Sequence, residues 1–344
     1  MAGYRTQFIQ ALSKVGTFLP TQCLAALTQQ KLIVPVYHVI SDENLPHIKH
    51  LYAVKGTKAF IQDLDFLLKN YQPIDVVSLQ NMMAHGEKPK KNTFLLTFDD
   101  GLREFYEVIA PILLQKGVPA VCFLNSDFID NKDLMFRYKA SLLIDEIEKN
   151  KNILSNNKAK EWLHENIKYG IDIQQFILSL RYHQKNILDE LTNSIEVNFY
   201  DYLTQKKPYL TAEQVNDLIN KGFHFGAHSC DHPEYQFIDL QEQLRQTKQS
   251  INEVVRKFNL SYQYFAFPFT DYGVSQEFFN EMYTKGGNLE MSFGCAGMKR
   301  EINPYHLQRI PLEMSDLSAK SIVNTEYLYF ILKAMFGKNT IRRK

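Results

Sequence analysis

Phe94-Leu95-Leu96-Thr97-Phe98-Asp99-Asp100 is apolar until its last two residues, and Gly101 breaks it. An apolar run that a glycine ends in this way is a buried strand. Its mouth therefore carries two carboxylates, and burying them unpaired would cost several kcal/mol. Adjacent strand residues face opposite ways. The two acids can act differently only if the chain turns there, and Gly101 permits that turn. The alternative reading of the same residues is a solvated Asp-Gly turn.

Outward from this strand, short β-rich runs alternate with amphipathic helical runs, the pattern of an α/β protein with parallel strands. Upstream lie a strand over 33–39, a helix built on Phe60, Leu64, Leu67 and Leu68, and an extended run over 74–79. Downstream, a helix over 105–115 stops at Gly117 and Pro119 and feeds a strand over 120–124. A helix over 211–221, capped by Thr211 and stopped by Gly222, precedes a strand over 223–228. Then come a helix over 240–258, a strand over 264–269, a helix over 275–285, and strands over 289–293 and 306–312. About seven strands suffice to close a small barrel with its functional groups at the carboxyl ends of the strands. Between 131 and 208 the chain becomes charged and helix-favouring and holds its single tryptophan, Trp162. We read this stretch as a helical insertion in a barrel made by 31–130 and 209–315. Residues 1–30 form an N-terminal helical segment, and 316–344 a C-terminal helix and basic tail.

The 344 residues are 45% hydrophobic and 22% charged, which excludes a disordered, collagenous or coiled-coil chain. With 39 Lys and Arg against 38 Asp and Glu, the formal charge is +1, and nucleic acid is not an expected partner. Cys23, Cys122, Cys230 and Cys295 contain no CxxC pair, so they define neither a zinc knuckle nor a disulfide framework. No apolar run has the length of a membrane span or a signal core, and the expectation is a cytoplasmic protein, peripheral to a membrane at most. The tail KAMFGKNTIRRK (333–344) reads as solvated and basic, with a weak membrane-surface contact as the alternative.

A second polar cluster, His228-Ser229-Cys230-Asp231-His232, falls at another strand end. One helical turn or a tight loop brings both imidazoles to one side. Two histidines with one carboxylate suit zinc, cobalt or nickel and leave positions open for water and substrate.

Together, TFDDG (97–101) and HSCDH (228–232) resemble the first and second motifs of the polysaccharide deacetylase family, the NodB-homology or carbohydrate esterase family four domain. The phrase PYLTAEQVNDLINKGFHFGAHSCDHPEY (208–235) is similar to that family's approach to its second motif. The resemblance covers about 34–130 and 209–312. It implies a distorted (β/α)7 barrel, one divalent metal ion (zinc first, cobalt or nickel as alternatives) and hydrolysis of an N-acetyl or O-acetyl group on a saccharide. Residue by residue, it implies Asp99 as general base, Asp100, His228 and His232 as metal ligands, and Ser229 as a support of the second motif's loop.

The acid that protonates the departing amine is, in many members, a histidine late in the domain, and no histidine follows Arg309 here. Members with a circularly permuted motif order carry it on the first strand in a YH phrase. PVYHVI (35–40) looks like that variant and makes His38 the implied acid. The third motif, R-x-P-Y/F, is met only in part by FAFPF (265–269): Pro268 and Phe269 fit, but Ala266 stands where an arginine would orient the base. Arg309, in HLQRIPLE (306–313), is the expected substitute, since a guanidinium on Asp99 would keep it ionised and aimed; an ordinary surface arginine is the alternative. The Phe269 backbone N–H is available to an oxyanion, and Tyr272 and Gly273 shape the same rim or are simply a turn.

The resemblance therefore leads us to expect a metal-dependent deacetylase of an acetylated saccharide, in surface-polysaccharide or glycan-precursor metabolism, with the insertion narrowing or capping its cleft. Two other classes compete: a catalytically silent saccharide-binding barrel, which Ala266 favours, and a metal hydrolase of a non-sugar amide.

Overall fold

Eight short parallel strands form the central sheet: β1 (Pro35–Tyr37), β2 (Leu96–Phe98), β3 (Ala120–Leu124), β4 (His224–Ala227), β5 (Tyr264–Ala266), β6 (Met291–Gly294), β7 (His306–Gln308) and β8 (Ile310–Pro311). Their order is β7-β6-β5-β4-β3-β2-β1-β8. The computed structural model describes residues 4–167, 170–284, 287–314 and 317–343. The boundary at 315–316, Lys285 at the end of the expected helix over 275–285, and Lys344 of the tail lie outside the described residues.

β7 and β8 are two halves of one extended segment with Arg309 at the join. The first half pairs with β6, His306 opposite Ser292, and the second with β1, Ile310 opposite Pro35. At the join, the Arg309 N–H reaches Gly294 O at 3.1 Å and the Ile310 N–H reaches Val34 O at 2.8 Å. Seven chain segments thus carry the sheet round into a distorted (β/α)7 barrel. The strands are buried on both faces, as parallel strands under helices must be. In β3, Val121 and Phe123 join Val34, Leu95, Ala266, Met291 and Phe293 in a cluster that strands from around the ring share, while Ala120, Cys122 and Leu124 face the outer helices.

Most expected elements are present within two or three residues, and the helix Leu240–Phe258 spans its expected range. The exception is 74–79, which we expected to be extended. Only Gln72–Pro73 is strand, and Val76–Ala84 is a helix. The reason is local: Asp75 accepts a hydrogen bond from the Ser78 N–H at 2.8 Å and so caps the helix.

The stretch 131–208 leaves the barrel just beyond the carboxyl end of β3, so it lies beside the mouth. Its first helix, α1 (Phe136–Lys149), has two working faces. Phe136, Ala140, Leu143, Ile144 and Ile147 pack with Trp162, Ile177, Leu188 and Leu191 in a core internal to the stretch. Tyr138 and Leu142 pack instead with Leu45, Ile48, Leu102 and Tyr209 against the barrel. No helix among the described residues is long and apolar enough to cross a membrane.

The tail is not solvated throughout, contrary to the sequence reading. It is pinned by backbone bonds from the Arg300 N–H to Asn339 O and from the Ile341 N–H to Arg300 O, both 2.9 Å. The Arg343 side chain is 4% exposed and donates to Asp271 Oδ2 at 2.5 Å and Glu301 Oε2 at 2.7 Å. Two buried acids offer a stronger partner than water does. Removing one partner of such a pair strands the other charges, so Arg343→Met should cost about 3 kcal/mol or more in urea unfolding. Arg342→Met, at an exposed neighbour, should stay within about 0.5 kcal/mol. Equal effects would contradict the pinning.

Candidate active site

At the end of β2 the chain turns within two residues: Asp100 has φ 69° and Gly101 φ 63°. The left-handed φ of Gly101 favours glycine there, and a Cβ would also press on the tip of the Leu124 side chain at 2.6 Å. The turn separates the two carboxylates. Asp99 faces Arg309, whose Nη1 and Nη2 donate to its two oxygens at 2.6 and 2.8 Å. Arg309 is 1% exposed and is held by Nε donating to Gly294 O at 3.1 Å. Burial pushes the Asp99 carboxyl up, but the charges of Arg309 and His228 and the fork of hydrogen bonds outweigh it and hold the group at about 2. Ala266, in the position where an arginine was expected, contributes its carbonyl instead, which accepts from His228 Nδ1 at 2.8 Å.

Asp100 faces the second motif. His228 and His232 lie in a loop, not a helical turn, with Ser229 and His232 at φ 71° and 65°. The Ser229 hydroxyl accepts from the His232 N–H at 3.0 Å, and Asn125 Nδ2 donates to His228 O at 2.5 Å. Asp100 Oδ1 lies 3.6 Å from His228 Nε2 and 3.4 Å from His232 Nε2. None of these three buried atoms has a hydrogen-bond partner. Burial pushes His228 down to about 4 and His232 down to about 3, so both imidazoles are neutral at ordinary pH. Because His228 Nδ1 carries its proton toward Ala266, Nε2 presents a bare lone pair. Asp100 Oδ1 and two imidazole Nε2 atoms thus converge with no hydrogen bond to satisfy them, an arrangement that a divalent cation would complete, and oxygen with two imidazole nitrogens is a donor set suited to zinc.

Two further groups have ligand-like composition, Asp271 with Glu301 and His306, and His50 with Asp145 and Glu148. Each already holds a protein cation: Arg343 in the first, and in the second Lys149, 2.7 Å from Asp145, together with Lys49. Among the described residues, only the Asp100 group has none.

His38, at the end of β1, is 30% exposed, and its Nε2 lies 4.0 Å from Asp99 Oδ2. Its Nδ1 bonds Glu313 Oε2 at 2.7 Å, and the His38 and Val39 backbone N–H groups each donate to the Glu313 carboxylate at 2.9 Å. Burial pulls the imidazole down, but the Glu313 hydrogen bond and charge, with the nearby charges of Asp100 and Asp99, raise it to about 9. Glu313 was not singled out in the sequence. The available signal was its place at the end of the segment that carries Arg309, an acid just past an apolar strand, as in TFDDG.

Of these groups, His38, Asp99, Asp100, His232, Arg309 and Glu313 line a cavity of about 530 Å³, within the usual size range for a small-ligand site, with His228 buried behind it. Its other walls include Tyr52, Phe269 and, from the stretch 131–208, Met135, Arg137 and Leu178. Phe269 has φ 54°, and its ring packs edge-on against His232 at 4.5 Å. Pro268 and Tyr272 are not part of the lining. Thr270 N–H bonds back to Pro268 O at 2.5 Å, and this tight turn carries Tyr272 out to 75% exposure.

A family model described as polysaccharide deacetylase matches residues 86–280, more than half of the chain. The Bacillus subtilis (strain 168) protein YxkH, which carries a polysaccharide deacetylase name, is 29% identical over 103 residues, 30% of this chain and 34% of that protein. This match thus spans about a third of the curated relative's length. The fold is similar to that of the Streptococcus pyogenes deacetylase PplD, solved in complex with acetate: TM-score 0.55 at 14% identity, covering 86% of this chain and 98% of that one. It is also similar to that of IcaB from Ammonifex degensii: TM-score 0.50 at 14% identity, covering 86% and 97%.

The geometry around His38 predicts a titration. In metal-free protein, the imidazole C–H resonances of His38 should titrate near pH 9. In Glu313→Gln they should titrate roughly one to three pH units lower, because burial is then opposed by less negative charge. A value raised above 6.5 in the folded state contributes stability that is complete below about pH 6.5 and is lost as the pH rises through 9. That loss should shrink in the variant. An unmoved midpoint would contradict the role given to Glu313.

Proposed function

Because this chain belongs to the polysaccharide deacetylase family, we propose that it hydrolyses acetyl groups, N-acetyl in the first place, on a saccharide substrate with the help of one divalent cation. The observation that carries this reading is the trio of unpartnered atoms on Asp100, His228 and His232 beside a base held ionised by Arg309. A cation held by that trio, zinc by preference, supplies Lewis acidity: it lowers the pKa of water and polarises the acetyl carbonyl.

The rest is the work of side chains. Asp99 is ionised at neutral pH and accepts the proton of the water whose oxygen bonds to the acetyl carbon. Both of its oxygens are tied to Arg309, so it keeps one orientation through that transfer. As the carbon–nitrogen bond breaks, its electron pair stays on the amine nitrogen, which takes a proton from His38. Glu313 occupies Nδ1 of His38, so the proton given is the one on Nε2, toward the cavity. The products are acetate and a free amine. The backbone N–H of Phe269 is our candidate donor to the developing oxyanion. Tyr52 and Phe269 offer apolar ring surface of the kind a pyranose face packs on, and this supports a sugar over a simple amide.

The test is acetate release from N-acetylglucosamine oligomers and from simple acetamides, with and without chelator. Acetate should come from the saccharide, stop with chelator and return with zinc or cobalt. Asp99→Asn should retain metal and lose about 10²–10⁴-fold in kcat, whereas Asp100→Ala, His228→Ala and His232→Ala should lose metal. His38→Ala should slow amides more than activated esters, whose leaving group needs no proton. Saccharide binding without acetate release would favour the silent barrel, and equal rates on acetamides the non-sugar amide hydrolase.

A further inference from the structure

Asp100 has a partner that comes from outside the barrel. Tyr138, on α1 of the stretch 131–208, donates its hydroxyl to Asp100 Oδ2 at 2.8 Å, and both side chains are fully or almost fully buried. The other oxygen, Oδ1, is the one that faces His228 and His232 without a partner. The hydroxyl therefore settles which oxygen remains for a cation and fixes the rotation of the carboxylate about its Cβ–Cγ bond. The tyrosine itself cannot turn away. Its ring stacks on Tyr209 at 6.2 Å between centroids and takes His47 edge-on at 5.1 Å. Tyr209 in turn accepts the Met135 N–H at 3.0 Å, which ties down the start of α1.

We infer that Tyr138 is a positioning residue of the metal centre, so that the helical stretch 131–208 completes the cation site as well as walling the cavity. The inference rests on the proposed ligand role of Asp100. Outer hydrogen bonds of this kind orient a ligand and hold it in a one-oxygen presentation. Binding linkage makes the coupling reciprocal: a cation on Asp100 tightens the docking of α1 by as much as docked α1 tightens the cation.

The experiment compares the full chain with its Tyr138→Phe and Tyr209→Phe variants, using zinc as the probe in competition with a chromogenic chelator. Tyr138→Phe keeps the ring and should bind zinc about 10–100-fold more weakly, with an altered visible band when cobalt replaces zinc. Tyr209→Phe frees the Met135 N–H that ties down the start of α1 but leaves the Tyr138 hydroxyl on Asp100; it should lower thermal stability and weaken zinc binding less than Tyr138→Phe does, with the cobalt band as in the unaltered chain. In the unaltered protein, zinc should also slow hydrogen exchange of the α1 amides around Tyr138, and this readout does not depend on any variant folding. Equal zinc affinity in Tyr138→Phe and the unaltered chain, or exchange in α1 that zinc does not change, overturns the inference while the deacetylase reading stands. An unaltered chain that binds no zinc overturns both.

Discussion

Two neighbouring carboxylates at the end of one buried strand have to be neutralised separately, and the site is organised around the two solutions. Asp99 is answered by a guanidinium with a two-bond fork, Asp100 by one tyrosine hydroxyl and, in our reading, by a cation. Each solution produces a different chemistry from the same side chain. An ionised carboxylate tied at both oxygens is a fixed proton acceptor. One tied at a single oxygen, with two neutral imidazoles opposite the other, is in our reading a ligand. The left-handed backbone of Asp100 and Gly101 separates the two roles, and Ser229, His232 and Phe269 adopt left-handed conformations around the same cavity. Strain of this kind persists where surrounding contacts over-determine it, as the bonds from Asn125 and Ser229 do for the histidine loop.

The segment 306–313 supplies the other half of the arrangement. One extended run completes the ring between β6 and β1, delivers Arg309 to Asp99 from the join, and ends in Glu313 beneath His38. The proposed base, Asp99, and the proposed acid, His38, therefore take their partners from a single piece of chain. A shift of that segment would disturb both, which links the closure of the barrel to the protonation states in the cavity.

The barrel and the centre of the site were legible because both rest on local patterns: apolar runs ended by polar residues, and the short phrases TFDDG and HSCDH. Asp75 capping a helix at 76–84 was equally local, but the β-branched pair Val76 and Val77 favoured an extended reading. Arg309 was reachable because Ala266 left Asp99 without a partner, so an arginine had to come from elsewhere. Glu313 and Tyr138 were not reachable in that way. Their roles depend on which oxygen of which carboxylate they meet, and Tyr138 meets Asp100 across 38 positions only because α1 folds back over the barrel. Arg343 was misread for a related reason. A basic residue near a terminus is ordinarily solvated, and its burial depends on Asp271 and Glu301, distant in the chain.

The most direct measurement is anomalous diffraction at the zinc absorption edge from crystals of the zinc-loaded protein. The account predicts one strong peak within coordination distance of Asp100 Oδ1, His228 Nε2 and His232 Nε2, with Tyr138 still on Asp100 Oδ2. A peak elsewhere with that position empty, or a zinc ion bridging Asp99 in place of Arg309, would contradict it.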